Sequence, residues 1–422
     1  MIEIIELNQY DEIETFARSL GFQSFLQSEG WAKVKASSKL KIHGLLVQRD
    51  GVTIGATLLH QRMFPLNLSH FYAPRGCIVN LDNVKDMEDT LIAIKKFVKK
   101  KRGMFVTMDP EIVMNHLDDQ GHSIPIRDVS EILEVFKRQG FVHRGFNQNF
   151  EALNPRYTFV INLNQNASLL DTYHATYRKL LRREVPYLEV SKTDERDLDA
   201  FVTLMEATAR REHFFSSGRG HYKHIYDTLH QRKMCDLYIV RLHVDKLFTS
   251  LEHQKLELEA KKASVDPSKY KNVSKYTNRV AELDAQLNKV IQLIDSYAHL
   301  DKGSIIPLSS IMTLRYADTV WTLHGGNHDD FKEFNAALHL YHKIFEDAKA
   351  DGYHYADLFG TTGEWDNPDN PVYGIYLFKK RFQGDYVEYI GEFTYTSQQV
   401  FSFMYRKVLP VATKIIRKLK KS

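Results

Sequence analysis

The sequence predicts a mixed α/β fold of two similar halves, the second interrupted by a long helical insertion. Three observations carry this. Helix-type and strand-type patterns alternate in the same order along both halves. Each half contains the signature of an antiparallel hairpin. Residues 247–300 are almost wholly helix-forming where the second hairpin should turn back. The chain has 422 residues, 43% hydrophobic and 26% charged, room for two or three globular domains at about 100–200 residues each.

In the first half, residues 10–20 have helical spacing and stop at Gly21. Residues 41–47 and 52–60 flank Asp50-Gly51, a hairpin signal. A strand at 70–74 meets Arg75-Gly76, an amphipathic helix covers 84–100, and a buried strand at 103–109 ends in Asp109-Pro110. A helix at 129–138 closes at Gly140. The second half repeats the order. A strand at 157–163 leads to a very basic helix at 169–183 that ends before Pro186, then to helices at 198–211 and 222–232. Residues 237–244 and 307–316 form the arms of a hairpin. The strand at 319–324 meets Gly325-Gly326 as 70–74 met Arg75-Gly76, and a helix at 331–350 precedes a strand at 353–359.

Between those hairpin arms, Val273, Tyr276, Val280, Leu283, Leu287, Val290, Ile294 and Tyr297 recur at alternating spacings of three and four, the heptad rule. Phe248, Leu251, Leu258 and Val265 can supply a facing stripe before Pro267. The expectation is an antiparallel coiled-coil arm over 246–301; a helical pair lying flat on the body is the other reading. The subdomains expected are 1–153, with 396–422 packing back on it, and 154–395.

Net charge is only +4, but its distribution is uneven. From Arg406 onward the chain is basic without an acid, and Val408, Val411, Ile415, Ile416 and Leu419 fall largely on one helical face. That pattern fits a segment attracted to a membrane surface or to phosphate, and equally a docked terminal helix with a solvated basic rim. No apolar run approaches the ~18 residues of a membrane span, and the start MIEIIELNQYDEIETF is acidic where a signal peptide is basic. The expected location is therefore the cytoplasm, peripheral at the inner membrane face. Cys77 and Cys235 are far apart, without metal-ligand spacing, and read as buried thiols. Phosphate loops, dinucleotide fingerprints, HExxH and GxSxG are all missing from the sequence, so nothing points to a nucleotide cofactor, a metal or a serine nucleophile.

Chemistry is better placed in residues 353–395, YHYADLFGTTGEWDNPDNPVYGIYLFKKRFQGDYVEYIGEFTY. An apolar run at 355–359 breaks at Gly360, a polar Pro- and Asp-rich loop follows over 363–371, and an aromatic segment carries Lys379 and Lys380 into a strand-like run at 386–395. A loop leading to a lysine held among aromatics suits a polar substrate and a fixed cation. An edge hairpin with solvated lysines has the same pattern.

The strand order of the halves resembles the acyl-coenzyme A N-acyltransferase fold. Its pyrophosphate loop, [QR]-x-x-G-x-[GA], has only a partial counterpart in Arg381-Phe382-Gln383-Gly384-Asp385-Tyr386, where Tyr386 replaces the small last residue inside a strand-like stretch. That departure speaks against a coenzyme A donor. GWAKVK at 30–35, Arg75-Gly76, Met108-Asp109-Pro110-Glu111, the heptad arm, YADLFGTTG, GIYLFKKRF and EYIGEF together resemble the FemABX family of aminoacyl-tRNA-dependent peptidyl transferases, in order over essentially the whole chain.

The resemblance implies two acyltransferase-like subdomains, the second carrying the arm, and no metal or nucleotide cofactor. It implies transfer of an amino acid from aminoacyl-tRNA to the side-chain amine of the stem-peptide lysine, or to the growing bridge, of a lipid-linked peptidoglycan precursor. By similarity, Lys379 after Phe378 is the lysine that stabilises the reacting centre, and Asp109 is a candidate base or a cap of its neighbouring element. Lys35 matches a lysine that binds the precursor diphosphate, with Trp31, Tyr222, Phe378 and His324 as further substrate-binding residues. Arg219 is the candidate partner arginine, although Tyr222 follows it at three residues rather than four. Met104 and His324 stand where a relative has aromatic residues. Arg178, Lys179, Arg182 and Arg183 are a tRNA-phosphate contact or a solvated face, and the arm can meet tRNA, a homologous transferase or a second copy. The rival readings are an acyl-coenzyme A N-acyltransferase and a non-catalytic, arm-mediated scaffold of wall synthesis.

Overall fold

Asp50 and Gly51 both adopt positive φ, 50° and 80°, so the first hairpin turns tightly between Lys41–Arg49 and Val52–Phe64. In the computed structural model, which describes residues 1–397 apart from 37–39, 119, 166 and 213–215, this hairpin founds one of two mixed sheets. The first sheet runs in the order Ile2–Leu7, Lys41–Arg49, Val52–Phe64, Leu68–Ala73, Gly103–Met108, Phe393–Thr396, Phe141–His143, with Ile78–Val79 added beside the third strand. Within it Leu68–Ala73 and Gly103–Met108 are parallel, joined across the helix Val84–Lys100. The Asn83 side chain caps that helix by accepting the Asp86 N–H at 3.1 Å.

The second sheet repeats the plan. Its order is Leu188–Thr193, Cys235–His243, Ile305–Tyr316, Thr319–Asn327, Tyr355–Asp357, Tyr157–Asn162, Asp385–Tyr389, Val113–Leu117, Ser123–Pro125. Here the hairpin Cys235–His243/Ile305–Tyr316 precedes Thr319–Asn327, which lies parallel to Tyr355–Asp357 across the helix Ala336–Ala350. The halves also exchange strands. Residues 113–125 from the N-terminal part extend the second sheet, and Phe393–Thr396 returns to the first.

The insertion forms two helices, Val244–Ala263 and Val273–Tyr297. Leu283, Val290 and Tyr297, one heptad apart, are buried, whereas Val273 at the far end is 79% exposed. Tyr297 roots the pair on the body by stacking on Phe331, with ring centroids 5.8 Å apart. Lys262 and Asp284 bridge the two helices at 2.5 Å.

Three local readings change. The basic helix is split into Leu169–Thr172 and Ala175–Leu181, because Tyr173 turns extended and drops fully buried into the core. The strand-like run 386–395 is two strands in different sheets, with Gly391 at φ 101° where the chain passes between them. The segment bearing Lys379 is a helix, Tyr373–Lys380, that buries Tyr376 and Lys379, so its aromatic richness reflects core packing. Cys77 and Cys235 are buried free thiols, and burial pushes Cys77 up to about 12. Among the described residues no helix is long and apolar enough to cross a membrane. The basic segment from Arg406 lies outside the described residues.

Gly326 shows how tightly the second half closes on its sheet. A Cβ there would lie 2.4 Å from the backbone of Leu204, on the helix Leu198–Arg211. Neither backbone can retreat alone, so Gly326→Ala is expected to lower stability by about 1–3 kcal/mol, read as a fall in the urea midpoint. An unchanged midpoint would show that the helix can shift.

Candidate active site

Residues 355–360 build the site by a local conflict. Tyr355–Asp357 is a strand, yet Phe359 adopts φ 57°, which turns the chain sharply. The Asp357 carboxylate holds that turn, accepting the Phe359 N–H at 2.7 Å and the Thr158 hydroxyl at 2.5 Å. Only glycine fits at 360, because a Cβ would meet Pro155 at 2.4 Å and Phe150 at 2.5 Å. The turn thereby presents two carbonyl oxygens, of Phe359 and Gly360, to which Lys379 Nζ donates at 2.8 and 2.7 Å.

The polar loop that follows is internally fixed. Glu364 accepts from Asn149, Asn367 and Asn370 at 2.9, 2.6 and 3.0 Å, and these bonds hold its carboxyl below the usual range. The helix Tyr373–Lys380 then brings Phe378 and Lys379 to one wall of a cavity of about 730 Å³. Its other walls come from Pro155, the strand residues Thr322, Leu323 and Gly325, and the ring of Tyr341. Burial of the ammonium pushes Lys379 down to about 7, against the opposing pull of Asp357. Lys380, the neighbouring lysine, is half-buried with its Nζ 5.6 Å from the Tyr376 ring.

A second cluster collects the Lys35 residues. The helix Glu29–Ala36 packs on the helix Arg219–His230. Lys35 Nζ stands 4.5 Å over the Trp31 ring, and burial lowers its pKa. Buried Tyr222 meets His324 edge to face at 5.4 Å. His60, His221 and His324 all feel the Lys35 charge; burial first, and that charge second or third, pushes His324 to about 4 and His60 to about 3. The groups around Lys35 are thus neutral imidazoles and a phenol. His324 also ties the cluster to the cavity, since its strand neighbours Leu323 and Gly325 line the cavity wall.

Other expected residues fall elsewhere. Arg219 is solvent-exposed and paired with Asp199, because it opens its helix one turn from the buried face that holds Tyr222. Asp109 is absent from the cavity wall. It is buried and accepts from the Tyr72 hydroxyl, the Arg75 N–H and the Asn154 amide at 3.0, 2.9 and 2.8 Å, so three donors already occupy it. Burial raises its pKa while Arg75 and these donors oppose the rise. Met104 packs with Leu68 and Phe105 in a small apolar cluster. In the basic segment, Arg178 donates to the Tyr173 carbonyl at 2.7 Å and Arg182 pairs with Asp171 at 2.9 Å, while Lys179 and Arg183 are exposed. Among the described residues no His, Cys, Asp or Glu side chains are grouped as metal ligands.

Asp357 is the site residue that sequence reasoning passed over. The signal was a lone acid in the apolar run YADLF, where an unpaired carboxylate is too costly to keep without a task.

The model of the FemAB family matches residues 9–408. The chain belongs to the FemAB family. Among its relatives is the lipid II:glycine glycyltransferase of Staphylococcus haemolyticus, 25% identical over 423 residues and aligned over 97% of both chains. The protein of the same name from Staphylococcus aureus strain RF122 is 26% identical, covering 97% of this chain and 98% of its own. The crystal structure of FemX superposes with a TM-score of 0.71 at 24% identity, over 96% of this chain and 99% of that one. This FemAB-family chain therefore has the FemX fold, with its mixed α/β character as the sequence predicted.

Proposed function

We propose that this protein transfers an amino acid from aminoacyl-tRNA to the side-chain amine of a lipid-linked peptidoglycan precursor, building the interpeptide bridge. The observation that carries the reading is Lys379, a buried ammonium fixed by two carbonyls in the wall of a cavity large enough for a small aminoacyl ester. Membership of the family and relatives that act on lipid II supply the substrate class.

The acceptor amine attacks the ester carbonyl; its nitrogen bonds to that carbon, the ester C–O bond breaks, and the ribose oxygen leaves with a proton. A lysine ammonium with pKa about 10.4 must first lose a proton, at a cost of roughly 4–5 kcal/mol near neutrality, so a dry site that favours the neutral amine helps. The tetrahedral oxyanion needs a fixed donor. An ammonium has three N–H groups, and the Phe359 and Gly360 carbonyls engage two of those on Lys379. The third is left for the oxyanion. A neutral Lys379 has both its N–H groups committed, so the protonated form is the active one.

Lys35, with Trp31, Tyr222 and His324 around it, is the binding point for the precursor diphosphate, linked to the cavity by the strand that carries His324 between Leu323 and Gly325. Lys35→Ala is therefore expected to raise the precursor KM about tenfold or more, as for loss of a charge-assisted bond, with kcat changed less. Unchanged precursor binding would remove Lys35 from the site. The exposed Lys179 and Arg183 are the tRNA-facing part of the basic segment, and the helical arm offers its seam to tRNA or to another transferase.

The reading is tested by incubating purified protein with glycyl-, alanyl- or seryl-tRNA and a lysine-containing precursor, and weighing the product. Extension by one residue from one of these donors supports it. No extension from any, together with tight coenzyme A binding, would favour an acyl-coenzyme A N-acyltransferase. Gly384 has a packing reason of its own, since a Cβ there would lie 2.6 Å from the Val160 carbonyl oxygen.

A further inference from the structure

Asp357 occupies the centre of the second sheet, next to Thr319–Asn327 on one side and Tyr157–Asn162 on the other. It is 7% exposed. A carboxylate so placed is retained only where other groups use its charge or its lone pairs, and here both are used. Its Oδ1 accepts the Phe359 N–H and the Thr158 hydroxyl, which pins a residue at φ 57°, a conformation costly for phenylalanine. The carbonyls of that same turn, at Phe359 and Gly360, receive Lys379. Asp357 also borders a void of about 20 Å³ shared with Arg75, Glu111 and Tyr389.

We infer that Asp357 is the positioning residue of Lys379: it shapes the carbonyl cradle that orients the ammonium and is that ammonium's counter-charge. This rests on the reading of Lys379 as the cation of the transfer site.

The charged and titratable groups facing Asp357 can be named element by element. Lys379 approaches from the helix Tyr373–Lys380, and Arg75 from the turn after Leu68–Ala73. Glu111 and Tyr389 face it across the small void. Burial raises Glu111 to about 7, and Arg75 is held by the Pro155 carbonyl at 2.7 Å and by the Tyr389 ring at 4.0 Å. Arg75 is thus fixed, and Asp357 interacts with the two cations, Arg75 and Lys379, at once. Without its negative charge, Lys379 would keep its two carbonyls and its burial but lose the attraction of Asp357.

Asp357→Asn makes the decisive change, because asparagine retains an oxygen that accepts the Phe359 N–H while losing the charge. Lys379 is followed without substrate through its Cε resonance in protein carrying 13C-labelled lysine, assigned by its disappearance in Lys379→Met. The expected result is a folded variant whose Lys379 midpoint is lower by about one pH unit or more. A folded variant with an unmoved midpoint overturns the inference. Should Asp357→Asn not fold, Thr158→Val weakens the carboxylate instead, and is expected to move the midpoint the same way by less; no movement there overturns it equally. The transfer assay separates this from the proposed function. If the midpoint falls but the pH at which the rate profile levels off stays put, Asp357 tunes Lys379 as inferred, and Lys379 is not the cation of the reaction.

Discussion

Replacing Lys379 by methionine is expected to lower transfer about 10²–10³-fold, the cost of losing one fixed oxyanion donor, while leaving the protein folded. Methionine keeps most of the apolar stem that packs in the wall. The same change is expected to stabilise the fold. In the unfolded chain a lysine holds its proton to about pH 10.4, whereas in the fold burial pushes Lys379 down to about 7. Between those values the unfolded state binds more protons, so wild-type stability rises with pH across that window, and the gain is lost as pH falls from about 10.4 to about 7. The methionine variant lacks this rise. Urea midpoints measured from pH 6.5 to 9.5 check it: the wild-type midpoint climbs relative to the variant's. Parallel midpoints would mean that Lys379 is not buried as a shifted cation. Activity does not share this rise: below about pH 7 the rate climbs as the acceptor amine loses its proton, and above about 7 loss of the Lys379 proton offsets that gain, so the rate levels off.

Arg156→Ala is expected to cost about 3–5 kcal/mol of stability, the usual penalty for leaving a buried charge without its partner. Arg156 is paired with Glu388, the two side chains being 2% and 9% exposed. Its guanidinium also donates to the Tyr389 carbonyl at 2.9 Å and to the Tyr157 hydroxyl at 2.8 Å. These bonds lace Tyr157–Asn162 to Asp385–Tyr389 just where the chain enters the second half, beside Pro155 in the cavity wall. In Arg156→Ala, Glu388 keeps only neutral donors, Tyr157 and Asn115. The double variant Arg156→Met/Glu388→Leu should lose less than the single one, since no charge is then stranded. A single-variant loss below about 1 kcal/mol would place the pair with ordinary surface bridges.

The parts of this fold that were legible in the sequence are those where local pattern and tertiary role agree. The hairpin at Asp50-Gly51 needs positive φ at both residues, and those residue types accept it. The arm's seam was visible because Leu283, Val290 and Tyr297 recur at heptad spacing and are buried on one face, with only its far end, at Val273, left open. The Lys379 helix was obscured by its composition. Tyr373, Tyr376 and Phe378 favour strands in isolation, but here they join Tyr177, Tyr341 and Phe382 around the core end of a helix. The strand exchange left no pattern to read, because Val113–Leu117 is only half-buried on each residue and alternates nothing. Two acids in similar apolar contexts, Asp109 and Asp357, could not be told apart by sequence. Folding puts the first under three donors by the Arg75 turn and the second against the turn that holds Lys379.

The central claim is that Lys379 promotes transfer of an aminoacyl group from tRNA to a precursor amine. It is tested most directly by a single-turnover assay with 14C-aminoacyl-tRNA and lipid-linked precursor, comparing wild type with Lys379→Met at matched precursor occupancy. The account predicts that the wild type moves the label into the precursor, while the variant binds precursor equally and leaves the label on tRNA. Transfer by the variant at the wild-type rate, or label that the wild type never moves from any charged tRNA, would contradict it.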